Sequence, residues 1–110
     1  FFRFQARLPV SCRLAEKTAT GRTIDLSGNG LAALFPEQLE EPQADEVIDF
    51  LLSLPDGMVA AKGRIVRKDF QENNSTCLIA EFIDLPEHDQ DRIVSFLFAE
   101  QRKLRQRDRV

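Results

Sequence analysis

The sequence predicts an all-β domain with a C-terminal helix: a six-stranded antiparallel β-barrel flanked by one amphipathic α-helix. Three observations predict it. Six strand-like runs follow one another between residues 4 and 82, separated only by short turns. A helical stripe of apolar residues begins only after Asp84. No helical stretch lies between the strands, which excludes a Rossmann-like parallel sheet.

The first strand runs from Phe4 to Leu14. Phe4, Ala6, Leu8, Val10, Cys12 and Leu14 alternate with Arg3, Gln5, Arg7, Ser11 and Arg13. That period of two puts one face in a core and an arginine-bearing face outside. Pro9 lacks a donor and places the strand at an edge or a bend. Gly21 falls in a short turn after Lys17-Thr18-Ala19-Thr20. The second strand is Thr23 to Ser27, with Ile24 and Leu26 facing the core and Asp25 and Ser27 facing away. Gly28-Asn29-Gly30 is a turn, because Gly and Asn tolerate positive φ.

Leu31 to Phe35 resumes as a short apolar strand. Pro36 to Asp45 is an acidic loop with room for one helical turn. Glu46 to Leu54 and Met58 to Phe70 are strands joined by the hairpin turn Pro55-Asp56-Gly57. Glu72-Asn73-Asn74 is the next turn, and Ser75 to Phe82 the last strand. The helix then spans about residues 85–106. Asp84 caps it, Glu87 completes a capping box and Pro86 sits in the first turn. Ile93, Phe96, Leu97 and Leu104 form its apolar stripe. Arg and Lys crowd its last turns, which suits the negative end of the dipole.

The 110 residues make one ordinary domain, 43% apolar and 30% charged. A domain of this size buries roughly two-thirds of its unfolded surface and needs no staples. Nine Phe supply all the aromatic bulk. No apolar run approaches the ~20 residues of a membrane-spanning helix, and the opening residues do not form a secretory signal. Cys12 and Cys77 sit in apolar runs and read as buried free thiols, which points to a reducing compartment.

The net charge of −3 hides an asymmetry. Before Asp25 the only acid is Glu16, against Arg3, Arg7, Arg13, Lys17 and Arg22. From Pro36 to Ala61 there is no Lys or Arg, but Glu37, Glu40, Glu41, Asp45, Glu46, Asp49 and Asp56 are present. The C-terminal stretch is basic again. An anionic partner is therefore expected near the basic ends.

The informative segment is Asp25-Leu26-Ser27-Gly28-Asn29-Gly30. Asp25 and Ser27, two apart on a strand, project from the same face. A carboxylate beside a hydroxyl can read the N–H edge of a guanine, and the glycines let backbone approach a ligand. Arg3 and Arg7 lie on the non-core face of the preceding strand. Their guanidinium forks fit guanine O6/N7 or a phosphate. As a purely local reading, the same residues also describe a hairpin whose Asp and Ser satisfy turn backbone groups. A calcium loop fits the first six positions from Asp25, but its twelfth position is Pro36 instead of Glu and its flanks are strands. His88 is the one histidine, on the first turn of the helix, and no metal site or catalytic triad assembles around it.

Asp25-x-Ser27-x-x-Gly30, with arginines upstream in an Arg-x-x-x-Arg spacing, resembles the signature of the PilZ domain family. Phe2-Arg3-Phe4 followed by Pro9-Val10 is similar to that family's first strand. Phe96 to Arg102, with its Ala-Glu-Gln-Arg, is similar to the C-terminal helix of the flagellar-brake type. The resemblance implies a cytoplasmic, non-enzymatic receptor for cyclic di-GMP with no cofactor and no DNA partner. Ligand-binding residues would be Arg3, Arg7, Asp25, Ser27 and Gly30: arginines on phosphates and guanine Hoogsteen edges, Asp25 and Ser27 on the other guanine edge. Occupancy would be relayed to an attached domain or a partner protein, such as flagellar motor or polysaccharide machinery.

Arg3 and Arg7 satisfy the literal spacing. The distances to Pro9 and Asp25, however, make Arg3 the second arginine of the pair, with the first expected before Phe1. That register implies an N-terminal domain or tail ahead of the chain. Arg64 and Arg67 could line the same rim or be ordinary strand surface. Gln101 to Val110 reads as a frayed tail or a partner-docking helix. A degenerate member that works only through protein contacts is the alternative reading.

Overall fold

In a computed structural model that describes residues 1–108, the chain closes into the expected antiparallel barrel. Its strands are β1 (Phe4–Gln5), β2 (Pro9–Arg13), β3 (Thr18–Ser27), β4 (Gly30–Phe35), β5 (Val47–Leu54), β6 (Gly57–Phe70) and β7 (Thr76–Ile83). One helix, α1 (Glu87–Asp108), follows. The barrel runs β3-β2-β5-β6-β7-β4, and β4 pairs back onto β3. Closure leaves no edge among these six strands to recruit foreign chains.

The extra strand, β1, comes from breaking the predicted first strand. β1 pairs Phe4 with Leu26, and β2 pairs Pro9 with Arg22. The two registers differ by one residue, so the chain must slip between Gln5 and Pro9. Thr23 holds that slip together. Its buried hydroxyl accepts the Leu8 N–H at 2.8 Å and donates to the Ala6 carbonyl. Pro9 opens β2 beside the break, as its missing donor requires. The alternation itself is as read: Ala6, Leu8, Val10 and Cys12 are buried, and Arg7 and Arg13 are exposed.

The second strand is longer than predicted, ten residues in place of five. Thr18 to Gly21 is strand and not turn, because it pairs residue by residue with β2. A bulge at Ile24 overturns the predicted core face. Thr23 points inward at 2% exposure, and Ile24 is pushed out to 41%. Leu26 keeps its core place.

Phe35, Phe50, Leu52, Leu31, Leu78 and Ile65 fill the barrel. Ile93 and Leu97 of α1 pack onto this core, with Phe96 partly buried against it. The stripe stops there: Leu104 is 48% exposed, since the last turns run beyond the barrel. The predicted cap at Asp84 is also corrected. Asp84 adopts a left-handed φ of 51°, the helix starts at Glu87, and the Pro86 carbonyl accepts the first helical bond from Gln90. The acidic loop after Phe35 contains no helical turn. Arg109 and Val110, the end of the predicted tail, lie outside the described residues.

Both cysteines are free. Burial pushes the Cys12 thiol from 9.0 up to about 11, so it stays protonated at neutral pH. No helix among the described residues is long and apolar enough to cross a membrane.

Candidate functional site

Two β-bulges build the outer face on which the site lies. Thr23 points inward, so strict alternation would turn Asp25 into the core as well. The bulge at Ile24 resets the phase and brings Asp25 outward. In β6, Ile65 is buried, and a second bulge between Ile65 and Arg67 does the same for Arg67. Asp25, Ala32, Ile79 and Arg67 then stand opposite one another across β3, β4, β7 and β6. Neighbouring strands lie about 4.8 Å apart, so the row spans roughly 14 Å. A parallel row carries Ser27, Gly30, Glu81 and Arg64.

Between the charged ends stand Ala32, 5% exposed, and the half-buried Ile79. Asp25 at one end accepts from Arg3 Nη1 at 2.8 Å. The two side chains are 30% and 47% exposed, respectively. An ion pair this open contributes at most about 1 kcal/mol. A ligand offering Asp25 better donors, or Arg3 a phosphate, can therefore displace it at little cost. Arg67 pairs with Asp69 at 2.7 Å, and Arg64 lies 3.9 Å from Glu81.

The other predicted residues are placed differently. Ser27 is fully buried. Its Oγ donates to Asn29 Oδ1 at 2.6 Å and accepts the Asn29 N–H at 3.2 Å. Its hydroxyl thus staples the turn. Gly30 leaves room for β7: a Cβ there would sit 2.5 Å from the Ala80 carbonyl oxygen. Arg7 lies in the slip between β1 and β2, on a cleft next to the rim and apart from the Arg3–Asp25 pair.

The turn after Ser27 is fastened on two sides. The Asn29 carbonyl accepts the Phe82 N–H at 2.8 Å, and the Gly28 carbonyl accepts Gln90 Nε2 of α1 at 2.9 Å. The N-terminal segment also reaches α1, where the Phe4 and Phe98 rings lie 6.0 Å apart. Ala32, Ile79 and Gln90 were not singled out in the sequence. Only the cross-strand registers and the helix docking reveal them.

The family model described as PilZ domain matches residues 1–99. Among curated proteins no match is found. The chain is similar in structure to the inhibitor of motility MotI/DgrA from Bacillus subtilis, with a TM-score of 0.80 and 17% identity over 92% of this chain and 50% of that one. It is similar to YcgR from Escherichia coli in complex with c-di-GMP, with a TM-score of 0.80 and 20% identity over 97% of this chain and 47% of that one. The PilZ domain of YcgR with c-di-GMP gives 0.78 and 21% identity over 99% and 96%. The chain thus spans about half the length of MotI and of intact YcgR. At these identities the likeness to solved structures establishes the fold.

Proposed function

The chain belongs to the PilZ domain family, and on that premise we propose that it is a receptor module for cyclic di-GMP. Guanine meets the outer face at the Asp25 end of its cross-strand row. Its two adjacent edge donors, N1–H and the exocyclic amine, meet the Asp25 carboxylate in charge-assisted hydrogen bonds. Arg3, released from Asp25, clamps a phosphate or the Hoogsteen edge. Arg67 and Arg64 supply positive charge at the far end of the rows. Gly30 and Ser27 hold the turn in shape beside the ligand.

What carries this reading is the Arg3–Asp25 pair, partly exposed and weak, at the end of a cross-strand row on the outer face. The module works by binding, without catalysis, in the cytoplasm. Its ties to α1 offer an output: Phe4 against Phe98, and Gln90 on the Gly28 carbonyl. For occupancy to be relayed, the ligand must favour one arrangement of these ties over another. The receiver is an attached domain or a protein such as flagellar motor or polysaccharide machinery.

Calorimetric titration of the chain with cyclic di-GMP is expected to give saturable heat with micromolar or tighter affinity. Absence of heat at ligand concentrations far above that range would count against the reading. One observation favours a second reading, a domain that acts only through protein contacts: Ser27 is committed to its own turn. Partner capture that is indifferent to added nucleotide would support that reading.

A further inference from the structure

Along α1, Ile93 and Leu97 are buried in the core, but from Phe98 onward the helix leaves that support. Phe98 is 50% exposed and Leu104 48%. The sequence changes at the same point. Gln101 to Arg107 carries four cations, Arg102, Lys103, Arg105 and Arg107, and no acid. Arg102 and Arg105 follow Phe98 by four and seven residues, so all three share one side of the helix. Both arginines are exposed. Lys103 falls off that side and pairs with Glu100 at 3.3 Å.

The N-terminal segment brings more apolar surface to this side. Phe1 and Phe2 are 71% and 78% exposed. With Phe4, Val94 and Phe98 they line a recess of only about 90 Å³. Ligand pockets are several times larger, so the cluster offers no groove for a peptide or a partner's helix. It is an exposed patch of phenylalanine beside arginine.

The opposite mouth of the barrel carries the opposite charge. β4 leads away from the turn at Gly28, where Gln90 of α1 docks, to the acidic segment after Phe35. There Glu40, Glu41, Asp45 and Glu46 are exposed. A negatively charged plane therefore attracts one end of the molecule and repels the other, despite the net charge of −3.

We propose that this basic, aromatic end of the molecule binds the surface of an anionic lipid bilayer, with Phe2 and Phe98 entering the interface and Arg102 and Arg105 meeting lipid phosphates. Exposed apolar side chains and cations on one side supply the two signals that a peripheral contact needs, since either alone binds weakly. The contact is peripheral, because no helix among the described residues is long and apolar enough to cross a membrane. Nucleotide binding plays no part in it, so it stands or falls apart from the receptor reading.

The test is co-sedimentation of the full chain with vesicles of phosphatidylcholine alone and of phosphatidylcholine mixed with phosphatidylglycerol. Wild type is compared with the double variant Arg102→Ala/Arg105→Ala, with Phe2→Ser, and with Arg13→Ala. Arg13 is an exposed arginine of β2 outside the patch and serves as the charge control. Thermal melting confirms that each variant is folded. Wild type is expected to sediment with the anionic vesicles and not with the neutral ones, and less as salt rises. A cation near an anionic surface contributes about fivefold in binding, so the double variant should lose roughly twenty-fivefold. Phe2→Ser should weaken binding severalfold, and Arg13→Ala should match wild type. Wild-type binding in the double variant, or equal binding to neutral and anionic vesicles, would overturn the proposal. So would a wild type that binds no vesicles; if it binds polyglutamate instead, and the double variant does not, the patch serves an acidic protein.

Discussion

Asp25→Ala is expected to remove measurable binding of cyclic di-GMP while leaving the barrel folded. Hydrogen bonds to a charged group contribute about 1.5–3 kcal/mol each. Losing two of them costs at least a hundredfold in affinity, since 1.4 kcal/mol is about tenfold. The effect on stability is small by contrast. Asp25 is 30% exposed and gives up only its open pair with Arg3, worth at most about 1 kcal/mol. For a domain of this size that moves Tm by no more than about 4–8 °C. Arg3→Ala should behave the same way, with a smaller loss because other cations remain on the face. The check is paired: calorimetric titration beside thermal melting. A variant that binds normally contradicts the role of Asp25. A variant that unfolds places Asp25 in the scaffold.

Thr23→Val is expected to do the reverse, damaging the fold through one hydroxyl. Val matches Thr in shape, so packing is preserved. What is lost is the bridge across the slip between β1 and β2, leaving the Leu8 N–H and the Ala6 carbonyl buried and unpaired. Each such group costs about 1–3 kcal/mol. A total of about 2–6 kcal/mol is therefore expected in urea denaturation. Thr23→Ser, which retains the hydroxyl, should recover most of it. A neutral Thr23→Val would show that the slip does not depend on this bridge. In a destabilised but folded variant, hydrogen exchange should rise first in residues 4–8, which Thr23 ties to β3.

The barrel was legible because its strands advertise themselves through alternation and its turns through Gly, Pro and Asn. The helix was legible from Ile93, Phe96 and Leu97. Three features were not. The slip after Gln5 keeps the alternation of Ala6, Leu8 and Val10 intact, so the pattern shows one continuous strand. The bulge at Ile24 places an isoleucine in solvent and a threonine inside, against the preference of each. Thr23 is tolerated inside because the broken strand offers its hydroxyl both a donor and an acceptor. The run Thr18 to Gly21 looks like a turn by composition, and its pairing with β2 overrides that composition.

The candidate site was legible in part. Asp25 and Arg3 were named in the sequence, and they stand 2.8 Å apart. Ser27 and Gly30 also belong to the motif, but their contacts are with Asn29 and β7, which no spacing argument distinguishes from ligand contacts. The sequence offered Arg67 as either rim or ordinary strand surface, and only strand pairing across four strands, information absent from any local window, puts it in the row of Asp25. The same is true of Arg7 and Arg22, which belong to separate predicted segments and meet at one cleft.

Amide mapping by NMR tests most directly whether the Asp25 face receives the nucleotide. On titration with cyclic di-GMP, the largest shifts are expected at Arg3, Asp25, Ala32, Ile79 and Arg67, with β5 nearly silent. Shifts confined to β5 and the Pro55-Asp56-Gly57 turn, or no shifts at saturating ligand, would contradict it.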